Sequence, residues 1–238
     1  MKSVDELKKI CVKPNVRDKT YFVPFRWLSW YVTGLICDLP ISANQVTVFS
    51  FMLQLLGCVV LVVCSWPWNI LSVLLIYLAF VFDCVDGNLA RYRKQSSMGG
   101  CFLDSLGHSI IPALIILSVG IAAAFSEPST FWAGIYFMCG FSASFFFMAQ
   151  QQISVKKDYI VQKYGNDDDD VNGGGFSLVS LLAVPTFNLT EFILVAVVFN
   201  VLNWLIVFYA LFIPLRYLGA IYFYFKALSE APMKEVPE

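Results

Sequence analysis

From Asn44 to Cys64 the chain carries no charged side chain. A run of about 20 apolar residues is what a helix needs to cross a hydrocarbon core of roughly 30 Å. The pattern recurs along the chain, and six spans fit it best: Asn44 to Cys64, Trp68 to Leu89, Gly100 to Phe125, Thr130 to Gln151, and two sharing the region from Leu189 to Phe225. A turn near Asn200–Asn203 divides the last pair. Only 14% of the 238 residues are charged and 58% are hydrophobic, where a soluble domain carries about 25% charged residues. Mean hydropathy is +0.70. The expected fold class is an all-α polytopic membrane protein, with a six-helix transmembrane domain over 44–228 between a segment 1–43 and a tail 229–238.

Lys and Arg sort onto one side of these spans. Lys2, Lys8, Lys9, Lys13, Arg17, Lys19 and Arg26 precede the first, Arg91, Arg93 and Lys94 follow the second, and Lys156, Lys157 and Lys163 follow the fourth. Arg216, Lys226 and Lys234 lie in or after the sixth, and the alternate loops SWPW and SEPS hold none. The positive-inside rule then puts both termini and the even-numbered loops in the cytoplasm, at the inner membrane if the cell is bacterial. The opening MKSVDELKKICVKPNVRDK lacks the basic-then-apolar order of a cleavable signal. Residues 21–40 mix aromatic and apolar positions with Pro24 and Gly34, and read as a cytoplasmic amphipathic helix on the membrane surface. The seven cysteines have neither metal nor disulfide spacing and read as small buried hydrophobes. DDDD at 167–170, followed by VNGGG, reads as a solvated loop, with a cytoplasmic lid as the alternative.

Against this apolar background, residues 82–110 concentrate Asp83, Asp86, Arg91, Asp104 and His108. At 100° per residue Asp83, Asp86, Gly87 and Ala90 share a face of the second helix, and Gly100, Asp104 and His108 share a face of the third. The loop Tyr92–Gly99 is short, so the two helices are antiparallel neighbours and their polar faces can meet at the membrane boundary. A charge left facing lipid costs roughly 2.5–3.5 kcal/mol on insertion scales, so the group must face itself, a metal or water. Three carboxylates make a hard-oxygen cage suited to Mg²⁺, Mn²⁺ or Ca²⁺. Arg91, one turn beyond Gly87, is placed to hold a phosphate, and small residues beside it leave room for a flat or bulky group. Together these features suggest phosphoryl chemistry with two metals. The plain alternative is an ion-pair cluster of Asp83 and Asp86 with Arg91 and Arg93 that fixes helix packing.

Written in full, the stretch is D83-x2-D86-G87-x2-A90-R91-x8-G100-x3-D104-x3-H108. It resembles the signature of the CDP-alcohol phosphotransferase family, D-x2-D-G-x2-A-R-x8-G-x3-D-x3-D, at every fixed position except the last. The family's six spans, its preceding amphipathic helix and a P-N-x-x-T-like start to span one, here A43-N44-Q45-V46-T47, extend the resemblance over about residues 21–228. It implies a transferase for substituted phosphate groups, in which a hydroxyl attacks the β-phosphorus of a CDP-alcohol and releases CMP. It further implies that Asp83, Asp86 and Asp104 hold two ions, Mg²⁺ or Mn²⁺, that Gly87, Ala90 and Gly100 admit the nucleotide, that Arg91 contacts phosphate, and that Asn44 and Thr47 line the pocket. CDP-diacylglycerol is the commonest donor in the family, which points to phospholipid synthesis, with another CDP-alcohol as the alternative. Homodimers are common there too; the runs GIAAAF (120–125) and GFSASFFF (140–147) would permit close helix contact. Partners are thus the donor, an alcohol acceptor and membrane lipids, with no nucleic acid.

His108, the single histidine, stands where the family has its last aspartate. Three readings are open: a base for the acceptor hydroxyl, since the ordinary imidazole pKa of about 6.5 suits cytoplasmic pH; a metal ligand, which tilts preference toward Mn²⁺ or Zn²⁺; or loss of activity, leaving a relative that only binds CDP-alcohols. Lys156, Lys157 and Arg216 are candidates for an anionic acceptor, and Gln150, Gln151 and Gln152 for a polyol. A cation transporter built on intramembrane carboxylates is the rival of another class. It requires acids spread through the bilayer depth, and outside the cluster only Glu191 lies within an apolar run.

Overall fold

The computed structural model describes residues 4–11, 23–164 and 189–230, and their regular structure is helical throughout. Chains that cross lipid must satisfy their backbone groups internally, which a helix does. Eight helices appear among the described residues: α1 (Val4–Cys11), α2 (Val23–Ile36), α3 (Ala43–Val63), α4 (Ile70–Tyr92), α5 (Met98–Phe125), α6 (Thr130–Tyr164), α7 (Leu189–Val198) and α8 (Leu202–Glu230). Five of them, α3, α4, α5, α6 and α8, are long and apolar enough to cross a membrane. The expected fifth span is represented by α7, whose 10 described residues rise about 15 Å. The turn expected near Asn200 is present between α7 and α8, with Asn200 at φ 55°, a left-handed conformation that asparagine tolerates. The DDDD segment, its lid alternative and the end of the tail lie outside the described residues.

Local chemistry explains where the helices begin. Ser42 caps α3 in a reciprocal box: its Oγ accepts from Gln45 N at 3.2 Å while Gln45 Oε1 accepts from Ser42 N at 2.8 Å. Ser97 caps α5 by accepting from Gly100 N at 3.0 Å. The fourth expected span ends at Gln151, but α6 continues to Tyr164. Lys156, Lys157 and Asp158 end the apolar run without breaking the helix, because Lys is a good helix former and no Gly or Pro intervenes before Gly165.

Lipid tails are as apolar as leucine, so helices in a bilayer are held together mainly by close packing and hydrogen bonds. Small residues supply the closeness. A Cβ on Gly107 of α5 would lie 2.0 Å from the Phe51 ring of α3. Cβ atoms on Gly120 and Gly140 would lie 2.6 and 2.8 Å from each other's Cα, so α5 and α6 meet backbone to backbone. The runs around these two glycines therefore make contact within the chain. Beyond them, Leu61, Ile76, Ile115, Ile116, Val119 and Ile206 fill a continuous apolar core.

Helix α2 is 14 residues long, about 21 Å, and too short to cross. Its polar Ser29 and Thr33 are buried, whereas Trp27, Leu28, Tyr31 and Leu35 are exposed. The outer face is thus apolar and aromatic, suited to lipid at headgroup depth, while the inner face combines these hydroxyls with buried Phe25 and Trp30. Helix α1 packs beside it through Leu7, Cys11 and Trp30, and Arg26 lies over the Trp30 ring. Burial pushes the Cys11 thiol pKa above its ordinary value. Cys11, Cys37 and Cys58 are buried as expected, but Cys101 is exposed.

Candidate functional site

Helices α3, α4 and α5 form the site. α3 and α4 run antiparallel, with Thr47 against Asp86 and Phe49 against Phe82. α5 lies along α3, with Gly107 against Phe51 and Gly100 against Asn44. This arrangement sets the last turns of α4 beside the first turns of α5, and brings three side chains together. Asp83, Asp104 and His108 each offer one ligand atom, all within 4.8 Å of one another. His108 Nε2 is 3.9 Å from Asp83 Oδ2, and His108 Nδ1 is 3.4 Å from Asp104 Oδ1. Asp83 is largely covered at 17% side-chain exposure, whereas Asp104 and His108 stand open at 54% and 63%.

The histidine tautomer follows from its partners. His108 Nδ1 lies 3.0 Å from the Asp104 carbonyl oxygen, which can only accept, so the proton is assigned to Nδ1. In the neutral ring Nε2 then keeps its lone pair, facing Asp83.

Asp86 behaves differently. It is buried, its Oδ2 accepts from Thr47 Oγ1 at 2.5 Å, and it is not one of the three clustered groups. Thr47 Oγ1 also lies 3.1 Å from the Ala43 carbonyl, which shares its single proton, and the bond to Asp86 ties the start of α3 to the end of α4. Asn44, on the same turn of α3, sits against α5: its Oδ1 lies 3.0 Å from where a Cβ on Gly100 would be. A side chain at Gly100 would crowd Asn44 Oδ1 and Ser97 Oγ. The free face of Gly87 is covered by the Arg91 guanidinium, both of whose terminal nitrogens lie 3.3 Å from a Cβ built there. Ala90 is half-buried beside them.

Neither arginine pairs with an aspartate of the signature. Arg91 Nη2 donates to Asn88 Oδ1 at 3.0 Å. Arg93 donates to the carbonyls of Leu39 and Ile41 and, at 3.0 Å, to that of Cys37, closing the link between α2 and α3. The packing-only alternative of an Asp–Arg cluster is not what forms. Arg93 and Asn88 are the residues that sequence reasoning missed. Their partners lie 52–59 positions away in the chain, and no local pattern marks them.

The acceptor candidates divide. Lys156 is exposed. Lys157 pairs with Asp158 Oδ1 at 3.1 Å and lies 5.2 Å from the Tyr224 ring. Arg216 of α8 meets Gln150 of α6: with its amide oxygen turned inward, buried Gln150 accepts from Arg216 Nη2 at 3.0 Å and Nε at 3.1 Å. Ser144 of α6 bonds the Ala113 carbonyl of α5 at 2.9 Å. Because these helices are antiparallel, Gln150 and its arginine come level with Gly107 and His108. Gln151 is half-buried and Gln152 exposed. Glu191 is within electrostatic reach of Tyr77 and Tyr209 and outside the three-residue cluster.

Two acid groups and an imidazole at this spacing fit a divalent cation: the oxygens suit Mg²⁺ or Mn²⁺, and the ring nitrogen favours the softer of the two. A comparison with curated proteins finds no match. The family model described as CDP-alcohol phosphatidyltransferase matches residues 40–215, which includes α3, α4, α5 and the whole three-residue cluster. The chain belongs to the CDP-alcohol phosphatidyltransferase family, integral membrane enzymes that transfer a phospho-alcohol from a CDP-alcohol donor to an alcohol acceptor with the help of divalent metal.

Proposed function

We propose that this protein transfers the phosphatidyl group of CDP-diacylglycerol to an acceptor hydroxyl and releases CMP, at a site facing the cytoplasm. The observation that carries the reading is the convergence of Asp83, Asp104 and His108 within 4.8 Å, inside the family-matched region. The distribution of Lys and Arg supports the cytoplasmic placement.

Asp83 and Asp104, with Asp86 beside them, would hold Mg²⁺ or Mn²⁺, two ions on the family's pattern. When bound, the metal neutralises the pyrophosphate and the charge that develops on the departing CMP. Arg91, one Nη of which is already engaged by Asn88, turns the rest of its guanidinium to donor phosphate. Asn44, Thr47, Gly87, Ala90 and Gly100 border the nucleotide. The acceptor oxygen bonds to the β-phosphorus as the bond from that phosphorus to the CMP oxygen breaks. The acceptor's proton passes to His108 Nε2, because Nδ1 is held by the Asp104 carbonyl. Arg216, fixed by Gln150, and Lys157 take an anionic acceptor, and two chains associate as a homodimer.

The test is release of CMP by the purified protein with CDP-diacylglycerol, Mg²⁺ or Mn²⁺, and a panel of alcohols. Turnover with one acceptor, abolished by EDTA, is the expected result. If no alcohol yields CMP, CDP-diacylglycerol is not the donor. If other CDP-alcohols also fail, the replacement of the family's last aspartate by His108 has left a protein that binds donors without transfer.

A further inference from the structure

Asn88 occupies one of the unspecified positions of the signature, between Gly87 and Ala90, yet it is completely buried and every polar atom of its side chain is engaged. Its Nδ2 donates to Ser29 Oγ and to Thr33 Oγ1, each at 3.3 Å, and its Oδ1 accepts from Arg91 Nη2 at 3.0 Å. The orientation of the amide is dictated by α2. Ser29 Oγ donates its proton to the Arg26 carbonyl at 2.9 Å, and Thr33 Oγ1 donates to the Ser29 carbonyl at 2.7 Å. With their protons committed, both hydroxyls can only accept from Asn88, so the amide nitrogen must face α2 and the oxygen must face Arg91. Arg91, for its part, folds over Gly87 and keeps a buried Nε with no partner.

We infer that Asn88 is a positioning residue through which the surface helix α2 holds Arg91 in the orientation that receives the donor's pyrophosphate. The two α2 hydroxyls aim the amide, the amide aims the guanidinium, and Gly87 leaves the space in which the guanidinium lies. A chain of buried hydrogen bonds in which each amide and hydroxyl fixes the next favours one arrangement, whereas an arginine without its acceptor would sample several rotamers. The inference rests on Arg91 as a phosphate ligand.

The probe is cytidine diphosphate, titrated in the presence of Mn²⁺ into the full-length protein in lipid nanodiscs. A hydrogen bond to a charged group is strong enough that Asn88→Ala should weaken binding about tenfold. The Asn88→Ala/Arg91→Ala double variant should bind no worse than Arg91→Ala alone, since the amide acts only through the arginine. Asn88→Asp, which keeps an oxygen toward Arg91, should recover most of the lost affinity; a purely structural role needing the amide donors would not be rescued. Should Asn88→Ala fail to fold, Ser29→Ala/Thr33→Val interrogates the same chain from α2 and should weaken binding in the same direction. Undiminished binding in Asn88→Ala or in the α2 pair, or losses that add to that of Arg91→Ala, overturns the inference while leaving the transferase reading intact. Undiminished binding in Arg91→Ala removes the arginine's role and the inference with it. No binding by the unaltered protein overturns the proposed function itself.

Discussion

The two flanks of α5 hold their polar groups in different ways. On the α2–α3–α4 flank, side chains bond across helices to one another and to backbone: Thr47 to Asp86, Asn88 to Ser29 and Thr33, Arg91 to Asn88, Arg93 to three carbonyls. On the α6–α8 flank the cations are held within their own two helices, Arg216 by Gln150 and Lys157 by Asp158 and the Tyr224 ring. The first flank is a preformed lattice with little freedom to adapt. The second is a pair of charges anchored by their own helices. On the proposed function the nucleotide falls to the first flank and the acceptor to the second.

The contrast can be broken experimentally. The largest loss falls on α4 and α5 themselves: Asp83→Asn should lower CMP release on the order of 10³-fold, since metal-derived charge stabilisation is worth several kcal/mol. His108→Ala should cost about 10²-fold or more in kcat with CDP binding retained, the scale of a lost general base. His108→Asp should keep part of the activity, and unimpaired turnover in the alanine variant would remove His108 from the mechanism. On the α6–α8 flank, Arg216→Ala should raise the acceptor KM by about tenfold, the value of one charge-assisted bond, and leave the donor KM unchanged. A donor defect of equal size would mean that the flanks do not divide the substrates. The smallest functional effect belongs to Gly120→Ala. Its Cβ would meet Gly140 backbone at 2.6 Å, so thermal unfolding should show a loss of about 1–3 kcal/mol, with both KM values intact.

Much of this was legible because long apolar runs and a fixed motif are local signals. The boundaries of α3 and α5 fall within one or two residues of the spans read from charge and hydropathy, and three of the five titratable groups expected at the site, Asp83, Asp104 and His108, converge. What escaped the sequence was set by distant partners. Asp86 shares a helix face with Asp83, but Thr47 arrives from α3 and takes one of its oxygens. Gly87 reads as space for a nucleotide, yet the space is filled by Arg91 from the next turn. Helix α2 reads as amphipathic with its rings at headgroup level, and Trp27 and Tyr31 do lie outside; the buried face mixes Phe25 and Trp30 with Ser29 and Thr33, which have a buried amide to satisfy. The small residues at Gly120 and Gly140, read as compatible with a dimer contact, pack against each other. Hydropathy reports how apolar a face is and says nothing of what lies opposite.

The central claim is that Asp83 and Asp104 hold divalent metal beside His108. Its most direct test is Mn²⁺ binding by electron paramagnetic resonance, on the unaltered protein and on Asp83→Asn/Asp104→Asn. Saturable binding that the double variant loses is the predicted result. Undiminished binding in the double variant, or no saturable binding by the unaltered protein, contradicts it.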